Sequence, residues 1–315
     1  MANFNHESVM IEEVIFGLNL KPNGIYVDCT LGGGGHSKEI LHHLSAGFLY
    51  AFDQDYEAIK ASRNRLAKIS DRFEIIKSNF KDLKKELAKR QITKVQGILF
   101  DLGVSSPQFD TKERGFSYKY DAKLDMRMDL NQDLTAYEIV NTYAFNDLYR
   151  IISRYGEERY AKNIARAIEK ARLINPIETT FELVEILKQA IPFKSQRGKH
   201  PAKRTFQALR IETNKELEIL PQALEDAIDL LDVNGRICVI TFHSLEDKIA
   251  KDVFKKYSTL PKLPDKLPVL PNEEEPILKL INKKVITPTP EELAKNNRAH
   301  SAKLRIAEKN KLTLS

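Results

Sequence analysis

Four consecutive glycines, Gly32 to Gly35, stand between the apolar run Ile25-Tyr26-Val27-Asp28-Cys29 and a polar segment of helical spacing that opens near Ser37. A stretch without Cβ atoms at the carboxyl end of a first strand lets a ligand lie against the main chain, with a helix N-terminus beyond it. The dinucleotide fingerprint G-x-G-x-x-G/A fails in both registers, because Ser37 or Lys38 takes the third small position. No G-x-x-x-x-G-K-[ST] phosphate loop occurs in the chain. What remains is a nucleoside ligand without a pyrophosphate, and Asp53, after the second apolar run, is the expected acceptor for its ribose hydroxyls. S-adenosylmethionine has that chemistry. Asp28 stands ready either to accept the loop's backbone N–H groups or to attract a sulfonium. His36 is expected to shape the loop or touch the ligand rather than to act as a base. Phe80, closing the third strand, either stacks on adenine or staples a helix.

A second polar run, Asp101-Leu102-Gly103-Val104-Ser105-Ser106-Pro107-Gln108, follows the fourth strand and marks the expected methyl-acceptor site. Methyl transfer to an exocyclic amine is an in-line displacement that depends mostly on orientation. Asp101, Ser106 or a carbonyl near Pro107 would accept an N–H of the amine and restore its lone pair. Thr241-Phe242-His243-Ser244-Leu245-Glu246-Asp247 ends a fifth strand at the same edge, which adds His243 to the catalytic candidates. Arg114 to Ser117 and Leu124 to Asp129 mix charge with aromatic and thioether groups and read as a mobile substrate lid.

The elements that must hold these groups alternate. Short runs at Ile25–Cys29, Leu49–Phe52, Phe73–Lys77 and Gly97–Phe100 predict strands, with helices around Ser37–Leu44, Tyr56–Ile69 and Phe80–Arg90. Such alternation implies an α/β fold with a parallel, Rossmann-like sheet. The next hundred or so residues hold good helices and no convincing buried strand; Thr179-Thr180-Phe181-Glu182 is a capping box for a helix ending near Pro192. The stripe Leu217, Leu220, Leu224, Ile228 and Leu231 then predicts a helix, followed by a turn at Asn234-Gly235 and a strand over Arg236–Phe242. Leu278–Ile286 and Lys303–Ala307 are expected as late antiparallel strands. Residues 1–108 and 212–315 thus form a discontinuous domain, interrupted by a helical insertion over 109–211.

Composition sets the outer bounds. The 315 residues are 42% hydrophobic and 30% charged, which excludes disordered and fibrous classes. No run is long and apolar enough to span a bilayer, and the first residues lack a secretory pattern. Two cysteines, Cys29 and Cys238, support neither a disulfide framework nor a four-ligand zinc site, so no metal and a cytoplasmic setting are expected. Fifty basic against 44 acidic residues give a charge of +6, which permits an anionic partner without requiring one.

Taken together, the motifs resemble the MraW/RsmH-type methyltransferases that modify N4 of a cytidine in 16S ribosomal RNA. The resemblance rests on His6 to Met10, Asp28 to His36, Asp101 to Gln108, Arg114 to Ser117, Leu124 to Asp129, Arg154 to Glu158, Arg204 to Ile211, Thr241 to Asp247 and Ser301 to Arg305. It implies a class I S-adenosylmethionine methyltransferase sheet with a helical substrate-recognition insertion. It also implies methylation of the decoding-region cytidine in the small subunit, with S-adenosylhomocysteine as product, by a monomer or homodimer with no membrane partner. By the same resemblance, Gly34, Gly35, His36, Asp53, Phe80, Asp101 and Gln108 line the cofactor site. In place of the Asp-Pro-Pro-Tyr box of many amino-methyltransferases stands Ser105-Ser106-Pro107. Lys194, Arg197, Lys199, His200, Lys203 and Arg204, with Arg159, Lys162, Arg166 and Lys170 along one helix, are the candidate phosphate contacts.

Overall fold

The computed structural model describes residues 8–104, 108–109, 111–196, 198, 200–260 and 275–311. Strands β1 (Ile25–Asp28), β2 (Phe48–Asp53), β3 (Phe73–Lys77) and β4 (Val95–Asp101) alternate with helices α1 (Ile11–Leu18), α2 (Gly35–His42), α3 (Tyr56–Leu66) and α4 (Leu83–Lys89). After a helical stretch, β5 (Leu231–Thr241), β6 (Leu278–Leu280) and β7 (Lys303–Lys309) complete a seven-stranded sheet of order β3-β2-β1-β4-β5-β7-β6. The first five strands run parallel, and β7 is antiparallel to both of its neighbours. Parallel strands deliver their carboxyl ends to one edge, so Asp28, Asp53 and Asp101, each the last residue of its strand, arrive at the same edge.

Helices cover both faces because side chains alternate along each strand. Tyr26, Leu99, Cys238 and Ile240 face one way, into a core with Val14 and Leu18 of α1, Ile40 of α2 and Leu66 of α3. Val27, Ile98, Phe100 and Val239 face the other, against Leu83 and Leu87 of α4 and residues of two later helices. The thiols of Cys29 and Cys238 are buried in these cores and free, and burial raises the pKa of each.

Two compact units emerge, Met1–Gly103 with Ile219–Ser315, and Val104–Glu218. The second is helical: α5 (Ala136–Thr142), α6 (Phe145–Arg154), α7 (Ala161–Arg172), α8 (Thr180–Ala190) and α9 (Lys203–Asn214). The Thr179 capping box forms, with the hydroxyl accepting from Glu182 N–H and the Glu182 side chain reaching back to the cap backbone. Helix α9 runs past residue 211, since Ile211, Glu212, Thr213 and Asn214 are all buried in its last turn. The chain then enters α10 (Glu216–Leu230) and, after β5, α11 (Ser244–Tyr257) and α12 (Pro290–Lys295).

Two strands differ from expectation. β5 begins at Leu231, and its pairing with β4 slips between Leu231 and Arg236, where Asn234 takes a φ of 63°. β6 stops at Leu280 because the Asn282 side chain does the work of strand backbone: Oδ1 accepts from Ile306 N–H at 2.7 Å and Nδ2 donates to Leu304 O at 3.1 Å. Ile286 then makes an isolated bridge to Leu304. Of the two late strands, β6 lies at an edge of the sheet and β7 is interior.

Lys309, at the end of β7, is fully buried and donates through Nζ to Ile228 O at 2.7 Å and Asp229 O at 3.1 Å, at the C-terminal end of α10. Burial lowers its pKa to about 8. The folded protein therefore loses this proton before the unfolded chain does, so the lysine costs stability at neutral pH and less as pH rises from 8 towards its ordinary range. Urea unfolding of wild type and Lys309→Met should show their difference shifting in favour of wild type by ~2 kcal/mol between pH 7.5 and pH 10. A difference independent of pH would mean that the ammonium is solvated.

Candidate active site

The glycine turn is built around a buried carboxylate. Asp28 Oδ1 accepts from Thr30 N–H at 3.0 Å and Oδ2 accepts from the Ser37 hydroxyl at 2.7 Å, so one side chain ties both ends of the turn. Thr30 passes the link on, its Oγ1 accepting from Asp101 N–H at 2.7 Å. Burial raises the Asp28 pKa against the opposing effect of the Ser37 hydrogen bond. Gly34 has a φ of 73°, which a side chain would strain, and a Cβ on Gly35 would overlap the Ser8 hydroxyl. Glycine is required at both positions by backbone shape and by the chain packed above.

From the other side α3 grips the turn. Ser62 Oγ donates to Gly32 O at 2.7 Å and Arg65 Nη1 donates to Gly33 O at 2.5 Å. Sequence reasoning missed both residues. A signal was present for Ser62, a buried hydroxyl within the stripe Ala58, Ile59 and Leu66. Arg65 carries no such mark. With these carbonyls engaged, the turn is fixed before any ligand arrives.

Asp53 closes the turn from β2. Its Oδ2 accepts from Gly32 N–H at 2.8 Å and Oδ1 from Asp55 N–H at 2.9 Å. Each oxygen retains a lone pair for a hydroxyl donor. Burial raises its pKa to about 6. Phe80 opens a 3-10 turn over Phe80–Asp82 and stands edge-on to Phe100, with ring centroids 5.6 Å apart. It is half-buried, so it both packs and keeps ring surface open.

Asp101 stands beside the buried His36 at this edge. His36 Nδ1 lies 3.5 Å from Asp101 Oδ2, while Nε2 lies 2.9 Å from Val9 O. Both ring nitrogens are thus occupied within the protein. Asp101 Oδ1 is buried with no hydrogen-bond partner among the described residues. Burial raises the Asp101 pKa to about 6, opposed by the charge of His36. A bare buried carboxylate oxygen calls for a donor or a cation. An open glycine turn, acceptor capacity at the end of β2 and an anionic oxygen at the end of β4 suit a ligand with ribose hydroxyls and a sulfonium charge.

The remaining candidates have other roles or lie outside the described residues. His243 is the N-cap of α11: Nδ1 accepts from Glu246 N–H at 3.4 Å, which leaves the ring hydrogen on Nε2, 3.0 Å from Glu246 Oε1. Gln108 belongs to the helical unit and is buried there. Ser106 lies outside the described residues, as do Ser105 and Pro107. The expected lid is instead packed structure. Phe116, Leu124, Met126 and Met128 are buried in the helical unit's own core, Arg114 Nη2 donates to Arg127 O at 2.7 Å, and Asn214 joins Met126 O and Met128 N. Apolar groups that read as substrate contacts are needed to fill a core of short helices.

Among the candidate cations, Arg204 donates to Glu157 O at 2.8 Å. His200 stacks on Tyr118 with centroids 4.2 Å apart. Arg159, Lys162, Arg166, Lys170, Lys194 and Lys203 are exposed. Arg197 and Lys199 lie outside the described residues.

The chain is similar to known proteins along nearly its whole length. The profile of the MraW methylase family matches residues 3–310. A protein of Exiguobacterium sibiricum named ribosomal RNA small subunit methyltransferase H is 60% identical, over 98% of this chain and 99% of that protein. One of the same name from Lactiplantibacillus plantarum is 54% identical over 99% of both. Among solved structures, an rRNA methylase from Streptococcus thermophilus has a TM-score of 0.43 at 13% identity, covering 98% of this chain and 99% of that one.

Asp53 has two tasks, holding Gly32 N–H and receiving hydroxyls, so Asp53→Ala should weaken S-adenosylmethionine binding by about a hundredfold. Ser62→Ala, which frees only one carbonyl of the turn, should cost about tenfold. Calorimetric titration of each variant checks the order; equal losses would place Asp53 outside the ligand's reach.

Proposed function

The chain belongs to the MraW methylase family, and on that premise we propose that it transfers a methyl group from S-adenosylmethionine to N4 of a cytidine in the decoding region of 16S ribosomal RNA. The observation that carries this reading is 60% identity, over 98% of the chain, to a protein named for methylating small-subunit ribosomal RNA. The bare Asp101 Oδ1 gives it a chemical footing.

When bound, S-adenosylmethionine supplies an electrophilic methyl group on a cationic sulfur. The turn from Gly32 to Gly35 would offer main chain to the ligand, Asp53 would accept ribose hydroxyls, and Phe80 would offer its open ring surface to adenine. The Asp101 carboxylate accepts an N–H of the cytosine amine, whose lone pair is otherwise delocalised into the ring. That hydrogen bond returns electron density to N4 and fixes its approach. His243 supports this edge by holding the start of α11.

The helical unit Val104–Glu218 is the substrate-recognition module. Lys162, Arg166 and Lys170 repeat every fourth residue on α7, are exposed and form no ion pair among the described residues, which suits contact with phosphates. The substrate is 16S ribosomal RNA of the small subunit, in the cytoplasm. No helix among the described residues is long and apolar enough to cross a membrane.

Mapping methylated nucleosides in small-subunit RNA from cells with and without the protein tests base, position and reaction together. Loss of one N4-methyl mark in the decoding region is the expected result, and an unchanged map rejects the reading. Replacing Lys162, Arg166 and Lys170 by Ala should reduce the slope of log affinity against log salt by about two. The methylated base should stay the same. An unchanged slope would put the phosphates on another surface.

A further inference from the structure

The ring of His36 is buried, and its two nitrogens are spent on different parts of the same unit. Val9 O can only accept, so the hydrogen on Nε2 is fixed by that 2.9 Å contact. Nδ1 then faces Asp101 Oδ2 at 3.5 Å, an approach that is attractive only with a proton between the two. A lone pair facing a carboxylate lone pair in a dry site would be repulsive. The pair therefore carries one shared proton, and Asp101 is left with one engaged oxygen and one bare oxygen.

We propose that His36 is a positioning residue: anchored on Val9, its imidazole fixes the orientation of the Asp101 carboxylate at the sheet edge where the methyl acceptor is expected. This rests on the function proposed above. In the transfer, the exocyclic nitrogen bonds to the methyl carbon as the carbon–sulfur bond breaks and its electron pair returns to sulfur. The proton leaves nitrogen for the Asp101 carboxylate. The groups acting on Asp101 are His36 from α2, Asp28 from β1 and Glu246 from α11; the two acids raise its pKa and His36 lowers it. Without the imidazole nothing from these elements opposes burial, and Asp101 would hold its proton at higher pH.

The full chain, labelled at aspartate carboxyl carbons, allows the Asp101 titration to be followed by NMR without ligand, with Asp101→Asn identifying the resonance. The expected midpoint in wild type is about 6. His36→Gln, which retains a donor for Val9 but loses contact with Asp101, should raise it by about one unit. His36→Asn, which keeps a donor where Nδ1 stood, should raise it less. The acid limb of kcat for methyl transfer should move in step. An unmoved midpoint in His36→Gln, or equal shifts in both variants, overturns the proposal. Should the variants fail to fold, imidazole 15N spectra of the wild type decide: hydrogen on Nε2 with a shared proton at Nδ1 supports it, and a bare Nδ1 across the Asp101 titration overturns it. If wild type transfers no methyl to small-subunit RNA, the functional reading falls while the ligand-free titration still reports on the pair.

Discussion

Three carboxylates stand at one sheet edge, Asp28 fully buried and Asp53 and Asp101 partly so, and burial raises the pKa of each. An ion in such a place is tolerated only when donors surround it. Asp28 obtains them from Thr30 and Ser37, Asp53 from Gly32 and Asp55, and Asp101 from His36 on one oxygen only. The shape of the glycine turn follows from this demand, since the N–H groups it turns inward are those the carboxylates require. What is left over, Oδ1 of Asp101, is where the desolvation cost remains uncompensated, and it is there that a cation or an amine gains most.

The same economy explains why α3 matters to a site it does not touch directly. Ser62 and Arg65 take the carbonyls of Gly32 and Gly33. A flexible four-glycine segment would lose much entropy on closing around a ligand. Bound at its carbonyls, at Asp53 and at Asp28, it has already lost that freedom during folding. The packed Ser8 above Gly35 completes the restraint.

Within the helical unit, local sequence and tertiary need disagreed. Arg114 to Ser117 and Leu124 to Asp129 have the charge and aromatic content of a loop that meets a substrate. Their apolar members instead fill a core with Ile139, Ile151, Ile164 and Leu183, while Arg127 pairs with Asp125. Short helices of 7 to 12 residues supply too little apolar surface by themselves, and the intervening loop makes up the difference.

Local chemistry was enough to read the alternation of strands, the capping box at Thr179, the glycine turn and the strand-end acids Asp28, Asp53 and Asp101, because each depends on spacing within a few residues. Helix ends and strand lengths were less legible: β6 is cut short by Asn282, whose partners are 22 and 24 residues away. The site's supporting contacts were not legible at all. Val9 with His36, Gly32 with Asp53, Gly33 with Arg65 and Thr30 with Asp101 join residues 21 to 71 positions apart. Residue type and order alone decided that this chain would offer an open main-chain turn beside acids at a sheet edge. Which acid oxygen stays bare was decided only by folding, because a hydrogen bond across such a distance exists when the sheet register brings donor and acceptor together and leaves no trace in either local pattern.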